Sequence, residues 1–559
     1  MAGTAGPTLI LHHGKVVTVD GKFSMAEAIA VEGARIAAVG DNDSILKLKG
    51  EGTKLVDLSG RMMIPGLIDS HTHPVTASMT EFDHPVPQMD SIEAVLDYIR
   101  VGASVVPEGG WILLSQVFIT RLREQRYPTR AELDAAAPKN PVVFSTGPDA
   151  ALNSLAMQLS GIDRDFKVTD GGAGFIEKDP QTGEPTGVLR NCTRFVKSTP
   201  SGKTATPEEQ LARLKDVFRD YNAIGITAIC DRKSNAGNLE LYTKLRDAGE
   251  LTVRVAASYE VSYLASVPTI QAQIRKVAEE PLFKERDTHV RIIGIKMFVD
   301  GGMLTGSAYM REPWGVSAIY GISDPAYRGV LFMPPEKLLP AVRTAVESGV
   351  QFTAHSVGDG AVHALLDAYE TVNRDVPVAK TRPCITHCNF QSREAVEQAA
   401  RLGVSMDIQP VWLYLDTRTL VKQFGYDRLR WFQPMRSLFA AGVTVGGGSD
   451  HMQKVGSLRS INPYNPFLGI ATAVTRRARW YEGQLHPEEA LTREQALRLY
   501  TINNARLLFL ENEIGSLEAG KLADFTILDT DLLACPEEKI ADIQPVATYV
   551  EGREVFARP

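Results

Sequence analysis

The chain has 559 residues, of which 44% are hydrophobic and 23% charged, a composition typical of a soluble globular protein with a large core. Its net charge of −7 is mild for this length and argues against nucleic acid or an anionic membrane as the main partner. No stretch approaches the ~18 consecutive apolar residues of a membrane-spanning helix. The five scattered cysteines, and a start without a basic segment followed by an apolar run, lead us to expect a cytoplasmic protein with reduced thiols.

Both ends of the chain alternate apolar and polar residues, as short strands do. The strand patterns cover residues 9–19, 28–40, 54–58, 514–529 and 546–556. Neither group is large enough to be stable alone, because isolated strands leave unpaired edges. We therefore predict that residues 1–60 and 512–559 join into one small β-sandwich domain.

Residues 61–511 show a different pattern, in which apolar strands alternate with helical segments. The strand patterns cover residues 63–69, 225–231, 252–258, 291–300, 351–355, 384–387, 404–408 and 443–450. Amphipathic helical spacing lies between most of them, for example at 207–223, 335–347, 361–372 and 393–402. Eight such units predict an α/β fold with a (β/α)8 TIM barrel.

Residues 74–204 are too many for a single strand-to-helix connection. The segment has its own strand patterns at 111–118, 141–145 and 174–177 and a helical pattern at 91–101. We predict a folded insertion after the first barrel strand. Such an insertion would lie over the C-terminal ends of the strands, where barrel enzymes carry their active sites.

A His-x-His pair, His71 and His73, follows the first barrel strand. Residues two apart in a strand point to the same side, so both imidazoles can reach one divalent metal ion. A bare pair is weak evidence, and we expect the adjacent His12-His13 to be a chance occurrence. Other strands add metal-ligand residue types near their C-terminal ends: Lys296, His355, His387 and Asp450.

Each of these residues alone has an ordinary structural explanation, such as a hydrogen-bonded core histidine or an aspartate that caps a helix. A barrel, however, brings the ends of all its strands to one mouth, so the set predicts a metal site. Lys296 lies in an apolar run, where burial lowers the pKa of its amine. A neutral amine can add CO2 to form a carbamate, which is an oxygen ligand; the alternative is an ion pair with Asp300 or Asp450.

The order of these residues along the strands resembles the amidohydrolase superfamily. The amino-acid sequences of several segments are also similar to those of the superfamily: 65–73 (PGLIDSHTH), 503–505 (NNA) and 515–524 (GSLEAGKLAD). Residues 295–302 (IKMFVDGG) and 354–361 (AHSVGDGA) resemble more narrowly the third amidohydrolase subfamily, which includes N-substituted formamide deformylase. The chain departs from that pattern at Met303-Leu-Thr-Gly-Ser and at His451-Met452.

The resemblance implies that His71, His73 and Asp450 hold one divalent metal ion, with zinc favoured. His355 and His387 would hold a second ion, bridged to the first by carboxylated Lys296; a single-metal site stays open. It further implies attack by a metal-activated hydroxide, with Asp450 accepting and returning a proton.

Residues of the loops after strands 4, 7 and 8 are predicted to wall the substrate pocket: Met303, Tyr309, Trp314, Gln409, Trp412, Tyr414 and His451. Their aromatic content favours a small, partly aromatic or apolar substrate, the alternative being that they pack the loops together.

We expect the protein to hydrolyse a carbon–nitrogen bond of the amide, N-formyl or carbamate type. A lactone or ester hydrolase, a hydrolytic deaminase and, more remotely, a non-catalytic scaffold remain as alternatives. The resemblance disfavours deamination, because deaminases of the superfamily typically lack the lysine on strand 4 and carry a catalytic glutamate near strand 5, whereas no glutamate follows His355 closely here. Barrels of this kind often associate through their outer faces, so a homodimer or a larger homo-oligomer stays open.

Overall fold

The computed structural model describes residues 6–115, 117–199 and 202–559. At its centre, eight parallel strands form one sheet in which each strand lies beside its neighbours in the chain. We number them barrel strands 1 to 8: Leu67–Thr72, Ile226–Ser234, Arg254–Glu260, Val290–Phe298, Gln351–Ser356, Cys384–His387, Ser405–Ile408 and Val445–Gly447. A parallel bridge between Thr72 and His451 brings the segment after strand 8 back to strand 1. The predicted barrel is confirmed.

Helices alternate with the barrel strands along the chain: Pro207–Ala223, Ala236–Asp247, Val267–Glu279, Pro281–Lys284, Pro335–Glu347, Asp359–Asn373, Arg393–Leu402, Pro410–Phe424, Met435–Ala440, Pro466–Thr475, Arg493–Leu499 and Ile502–Leu507. Local signals set their ends. Pro207–Ala223 begins with a capping box formed by Thr206 and Glu209. Arg393–Leu402 ends at Gly403, whose φ of 68° suits a left-handed C-cap.

The chain ends form two further sheets. The six-stranded sheet has the order Arg553–Ala557, Pro545–Val550, Phe525–Leu528, Met62–Pro65, Lys15–Val17 and Met25–Ala26, and the four-stranded sheet has the order Arg35–Gly40, Ala28–Glu32, Leu9–His12 and Lys54–Asp57. A short helix, Asn42–Leu46, follows the strand Arg35–Gly40. The predicted pairing between the two chain ends is present, whereas the domain limits at 60 and 512 stay predictions.

The structure corrects two predicted strands in this region. The pattern at 9–19 is two strands in different sheets, because His13 adopts a left-handed φ of 54° and ends the first. The pattern at 63–69 is also divided: Met62–Pro65 pairs with Phe525–Leu528, and only Leu67–Thr72 joins the barrel. Gly66 lies between them, and a Cβ there would lie 2.2 Å from Thr227 Oγ1. The strand Leu67–Thr72, whose end carries the His-x-His pair, thus follows directly from a strand of the six-stranded terminal sheet.

The segment after barrel strand 1 is a folded insertion, as predicted. Its five-stranded sheet has the order Phe175–Lys178, Pro185–Arg190, Ala150–Leu152, Val142–Ser145 and Ile112–Ser115. Its helices are Pro74–Met79, Ile92–Val105, Arg130–Ala136 and Ser154–Ser160. The predicted strand at 111–118 includes Gln116, which lies outside the described residues. Within the part of the chain that the structure describes, no helix has the length and apolar character needed to cross a membrane.

Candidate metal centre

The structure brings all six predicted ligands to one cavity at the C-terminal ends of the barrel strands. In one group, His73 Nε2 lies 3.0 Å and His71 Nε2 3.5 Å from Asp450 Oδ1. In the other, the rings of His355 and His387 have centroids 4.4 Å apart, and the His387 ring lies 4.7 Å from that of His71. Lys296 lines the same cavity. The roles of these residues as ligands stay predictions.

Two of these residues have an uncommon backbone conformation. His387 has a φ of 74° and Asp450 a φ of 56°. Residues other than glycine rarely adopt the left-handed region, and such conformations concentrate at functional sites where the surrounding structure holds them. Here they turn the chain out of strands 6 and 8 and aim the two side chains into the cavity.

Hydrogen bonds orient three of the imidazoles. His71 Nδ1 lies 3.0 Å from Asp407 Oδ2, His387 Nδ1 lies 2.8 Å from Gln409 Oε1, and His355 Nε2 lies 3.2 Å from the carbonyl of Gly301. An acceptor at one ring nitrogen fixes the proton there and leaves the other nitrogen as a lone-pair donor. Histidines that bind metals in proteins are held in this way.

Two carboxylates of the site were missed at the level of sequence. Asp407, on barrel strand 7, accepts hydrogen bonds from His71 and from Ser70 Oγ at 2.7 Å. Asp231, on barrel strand 2, has Oδ1 3.8 Å from His73 Nδ1 and accepts a bond from Tyr242 Oη at 3.0 Å. The available signal was a carboxylate inside an apolar barrel strand, which needs a buried partner.

Burial controls the charge of most of the site. It lowers the pKa of His355 to about 3 and the pKa values of His71 and His387 well below the ordinary range, and the nearby Lys296 charge acts in the same direction. These imidazoles are therefore neutral, as metal ligands must be. Burial also lowers the pKa of Lys296 to about 7, so much of this amine is neutral at neutral pH.

The side chain of Lys296 donates a hydrogen bond to Thr386 Oγ1. No ion pair of Lys296 within 4.0 Å is present among the described residues, and Asp300 instead accepts bonds from the backbone N–H groups of Val357 and Gly358 at 2.9 Å. The alternative in which Lys296 pairs with Asp300 or Asp450 is thus not the arrangement in this structure.

His73 differs from the other imidazoles. Burial acts to lower its pKa, but the carboxylates of Asp231 and Asp450 outweigh that effect and raise the pKa to about 9. A position between two carboxylates therefore attracts positive charge. His71, His73 and Asp450 each offer a donor atom within 4.8 Å of the other two. Imidazole and carboxylate donors at this spacing fit a divalent transition metal ion.

The cavity above these residues has a volume of about 510 Å³. Aromatic and other apolar side chains form much of its wall: Phe118, Tyr263, Phe298, Met303, Leu304, Phe332, Trp412 and Met452. Lys233 and Glu260, whose charged atoms lie 3.3 Å apart, also line it. The insertion contributes Phe118, Thr193 and residues 145–148, so it closes one side of the site.

Of the seven residues predicted to contact substrate, the structure places Met303 and Trp412 in the cavity wall. The Trp412 ring stacks on His387 with centroids 5.1 Å apart and an interplanar angle of 8°. Substrate contact by these two residues stays a prediction.

The other five residues do not line the cavity, which corrects their predicted placement. Gln409 orients His387 behind the site. His451 is buried and bonds to Tyr221 Oη at 2.7 Å. Trp314 packs within the loop after strand 4, where its indole N–H donates to the carbonyl of Ala308. Tyr309 lines a separate groove, and Tyr414 lies on the helix Pro410–Phe424.

The model of the amidohydrolase family matches residues 54–556. The chain belongs to the amidohydrolase family. It is 28% identical over 555 residues to N-substituted formamide deformylase of Arthrobacter pascens, covering 97% of each chain. Its fold is similar to that of an uncharacterised metal-dependent hydrolase of Pyrococcus horikoshii, with a TM-score of 0.67, 22% identity and coverage of 95% of this chain and 99% of that chain.

The fold is also similar to that of atrazine chlorohydrolase TrzN of Arthrobacter aurescens complexed with zinc, with a TM-score of 0.53, 16% identity and coverage of 98% and 95% of the two chains. This amidohydrolase is a metal-dependent hydrolase. The family, the fold and the type of enzyme predicted from its residues are confirmed.

Proposed function

We propose that this amidohydrolase cleaves a carbon–nitrogen bond of the amide, N-formyl or carbamate type in a small, partly aromatic molecule. The observation that carries the proposal is the convergence of four imidazoles, a lysine and a carboxylate beneath a cavity with aromatic walls. Similarity to a formamide deformylase along nearly the whole chain supports the N-acyl class of substrate.

In the proposed centre, His71, His73 and Asp450 would hold one ion and His355 and His387 a second, with carboxylated Lys296 shared between the two and zinc the preferred metal. A neutral amine is the form that reacts with CO2, and burial provides it by lowering the pKa of Lys296 to about 7. When bound, the metal supplies Lewis acidity that polarises the scissile carbonyl and makes water a better nucleophile.

The protein's own residues supply the proton transfer and the positioning. Asp450 reaches both His71 and His73 through Oδ1, while Asn462 Nδ2 holds its other oxygen at 3.3 Å. This carboxylate is placed to take a proton from the attacking water and return it to the leaving nitrogen. Trp412 and Phe298 flank His387 and His355, respectively, and shield that side of the centre from bulk water.

The cavity wall favours cleavage of an amide-type bond over hydrolytic deamination, for which deaminases of this superfamily use a glutamate near barrel strand 5. Residues 356–359 after barrel strand 5 contain no glutamate. Among the described lining residues the single glutamate is Glu260, which is paired with Lys233. Asp450 therefore remains the acid–base candidate at the ligand cluster.

Metal content provides the first test. Protein purified without chelator and passed over a desalting column should contain one or two first-row metal ions per chain by elemental analysis. His71→Asn should lower that number, because it removes a nitrogen donor from the centre. His84→Asn serves as the matched control, since His84 is an exposed histidine beside Asp83. Full turnover by metal-free protein would contradict the proposal.

Replacing the buried lysine tests the bridging role. Lys296→Met should lower kcat by about 10³-fold, the scale of losing one electrostatic contributor to a transition state. Lys296→Ala leaves space, so added formate or acetate should restore part of the activity by replacing the carbamate oxygens. A Lys296→Met enzyme with wild-type kcat would exclude carboxylated Lys296 from the mechanism.

A substrate panel tests the bond type. It should compare N-formyl, N-acyl, carbamate and lactone compounds, each with an aromatic and a short aliphatic group. We expect the aromatic member of a carbon–nitrogen pair to have a kcat/KM about tenfold higher or more, because burial of one ring contributes roughly 1.5–3 kcal/mol. Faster turnover of the lactones than of every carbon–nitrogen compound would overturn the proposed substrate class.

A further inference from the structure

A second group of metal-ligand atoms lies outside the barrel sheet, on the four-stranded sheet formed near the start of the chain. His12 Nδ1 lies 3.1 Å from His13 Nδ1, which in turn lies 3.1 Å from Asp57 Oδ2. Each of these residues offers a donor atom within 4.8 Å of the other two. Among the described residues, this group and His71, His73 and Asp450 are the two sets of at least three His, Cys, Asp or Glu that meet that spacing.

The backbone builds this arrangement. Consecutive side chains of a strand normally point to opposite faces, which would separate His12 from His13. His13, however, has a left-handed φ of 54°, and its backbone N–H donates to Asn42 Oδ1 at 2.7 Å. The turn at His13 brings the two imidazoles together at the end of the strand Leu9–His12. Asp57 is the partner of His12 in the parallel pairing of Leu9–His12 with Lys54–Asp57.

The spacing suits a tetrahedral ion. Zinc–nitrogen bonds of ~2.0–2.1 Å in a tetrahedron place neighbouring donor atoms roughly 3.3–3.4 Å apart. Both separations of 3.1 Å are close to that edge length. The facing nitrogens need either a shared proton or a cation between them, because a neutral ring nitrogen that carries no proton only accepts.

The surroundings leave room for an ion to enter from solvent. The side chains of His13 and Asp57 are 52% and 53% exposed. The Asp57 carboxylate has Oδ2 facing His13 Nδ1, while its Oδ1 accepts a bond from the backbone N–H of Ser59 at 2.7 Å. Two imidazoles and a carboxylate leave a fourth position for water.

We propose that His12, His13 and Asp57 form an exchangeable site for a divalent transition metal ion of the zinc, nickel or copper type. The terminal-sheet site, as we name these three residues, is separate from the catalytic centre. An ion bound there would join the edge strand Lys54–Asp57 to its neighbour Leu9–His12. The adjacent histidines are then a ligand pair, contrary to the expectation that they were a chance occurrence.

Equilibrium dialysis of the purified holoenzyme against Zn²⁺ tests the proposal. At micromolar free Zn²⁺, the wild-type protein should bind one ion in addition to those that stay bound through purification. His13→Ala should weaken that additional binding at least tenfold and leave hydrolase activity unchanged. His84→Ala is the control, because His84 also pairs with an adjacent aspartate but belongs to no three-ligand group among the described residues. Equal additional binding by wild type and His13→Ala would overturn the proposal.

Copper EPR provides a readout that does not depend on one variant. With one equivalent of Cu²⁺ added to holoenzyme, the wild-type spectrum should show two nitrogen ligands, and His12→Gln and His13→Ala should each show one. Zn²⁺ should also raise the Tm of the wild type more than that of either variant. Variant spectra identical to that of the wild type would place the ion elsewhere and refute the terminal-sheet site.

Discussion

Asp407 connects a buried network of charged groups to the candidate metal centre. Its carboxylate accepts bonds from His71 and Ser70 and lies 3.2 Å from Arg232 Nε, and all of these groups are buried. Burial raises the pKa of Asp407 to about 6, against the opposing effect of Arg232. The ionised form, present at neutral pH, accepts the hydrogen bond at His71 Nδ1 and so keeps His71 Nε2 facing Asp450.

Asp407→Asn should lower the metal affinity of the enzyme by about 10–100-fold, the usual effect of removing a partner that orients a ligand. The reason is that an amide can present its N–H₂ to His71 Nδ1 and so disturb the ring's tautomer. Competition with a chromophoric chelator measures this affinity directly.

Asp524→Asn is the matched control for that measurement. Asp524 is also a buried carboxylate paired with an arginine, with Arg254 Nε at 2.6 Å, but it lies between the barrel and the terminal sheet. It should lower thermal stability and leave metal affinity unchanged. Equal losses of affinity in both variants would mean that Asp407 acts through general stability.

At the residue scale, the sequence predicted side chains that the barrel topology itself positions. His71, Lys296, His355 and Asp450 follow from strand ends, because every strand end faces the same mouth. Gln409 and His451 also follow strands, but their direction depends on local backbone turns. The left-handed backbone at Asp450 turns the chain at that point, and His451 ends buried against Tyr221.

At the scale of elements, the insertion is held to the loop after barrel strand 4 by buried polar contacts. Asp149 Oδ2 accepts a bond from Ser307 Oγ at 2.6 Å. Arg190, fully buried, donates to the carbonyls of Thr305 and Tyr320. The same loop supplies Met303, Leu304 and Thr305 to the cavity wall, so these contacts set the shape of the pocket.

Ser307→Ala should therefore raise KM by about tenfold with a smaller effect on kcat. A hydrogen bond to a charged group contributes roughly 1.5–3 kcal/mol, and its loss frees the loop that shapes the pocket. Steady-state kinetics on the best substrate of the panel measures the change. Ser317→Ala is the control, because that hydroxyl accepts a bond from Tyr320 N within the same loop and does not line the cavity. An unchanged KM in Ser307→Ala would show that the contact does not shape the site.

The boundaries of helices and strands were predicted well where the hydrophobic period and the length of a segment indicate the same element. They were predicted poorly where one apolar run is divided between two sheets. The run at 63–69 is predicted as a single strand because both of its halves are mainly apolar. Its division at Gly66 depends on pairing with Phe525–Leu528, far along the chain, which no local pattern contains.

At the scale of the whole molecule, ion pairs join the six-stranded terminal sheet to the barrel. Arg254 at the start of barrel strand 3 holds Asp524 with two hydrogen bonds and lies 3.3 Å from Glu551 Oε1. His289 Nε2 lies 2.9 Å from the same oxygen. The hydrogen bond from His289, opposed by burial and assisted by Arg254, lowers the pKa of Glu551 to about 2.

This shift predicts a pH dependence of stability. A folded-state pKa of about 2, below the ordinary 4.5, means that the ionised Glu551 stabilises the fold above pH 4.5 and that this contribution is lost as the pH falls from 4.5 to 2. Glu551→Gln should lower stability at pH 7 by about 1–2 kcal/mol after allowance for solvent screening. Its Tm should fall less than the wild-type Tm between pH 5 and about pH 3.

Differential scanning calorimetry across that range measures both effects. Glu554→Gln is the control, because Glu554 lies on the terminal strand Arg553–Ala557 and its carboxylate accepts a bond from Tyr549 Oη of the neighbouring strand in the same sheet. Parallel Tm curves for the wild type and Glu551→Gln would exclude the proposed contribution.

The overall architecture was predictable because hydrophobic periodicity is repeated in eight units and does not depend on any single boundary. The sandwich of both chain ends followed from the same logic, since unpaired strands at each end need partners. The ion pairs between Arg254, Asp524 and Glu551 were not predictable, because they join three distant segments whose approach only the folded barrel defines.

The placement of Met62–Pro65 between Lys15–Val17 and Phe525–Leu528 has a consequence for biosynthesis. During translation at roughly 5–20 residues per second, this strand has one open edge for tens of seconds, until nearly the whole barrel has left the ribosome. A product terminated before Phe525 would keep every candidate catalytic ligand and yet present that edge to other chains. Pairing with Phe525–Leu528 therefore covers this edge only when synthesis is nearly complete.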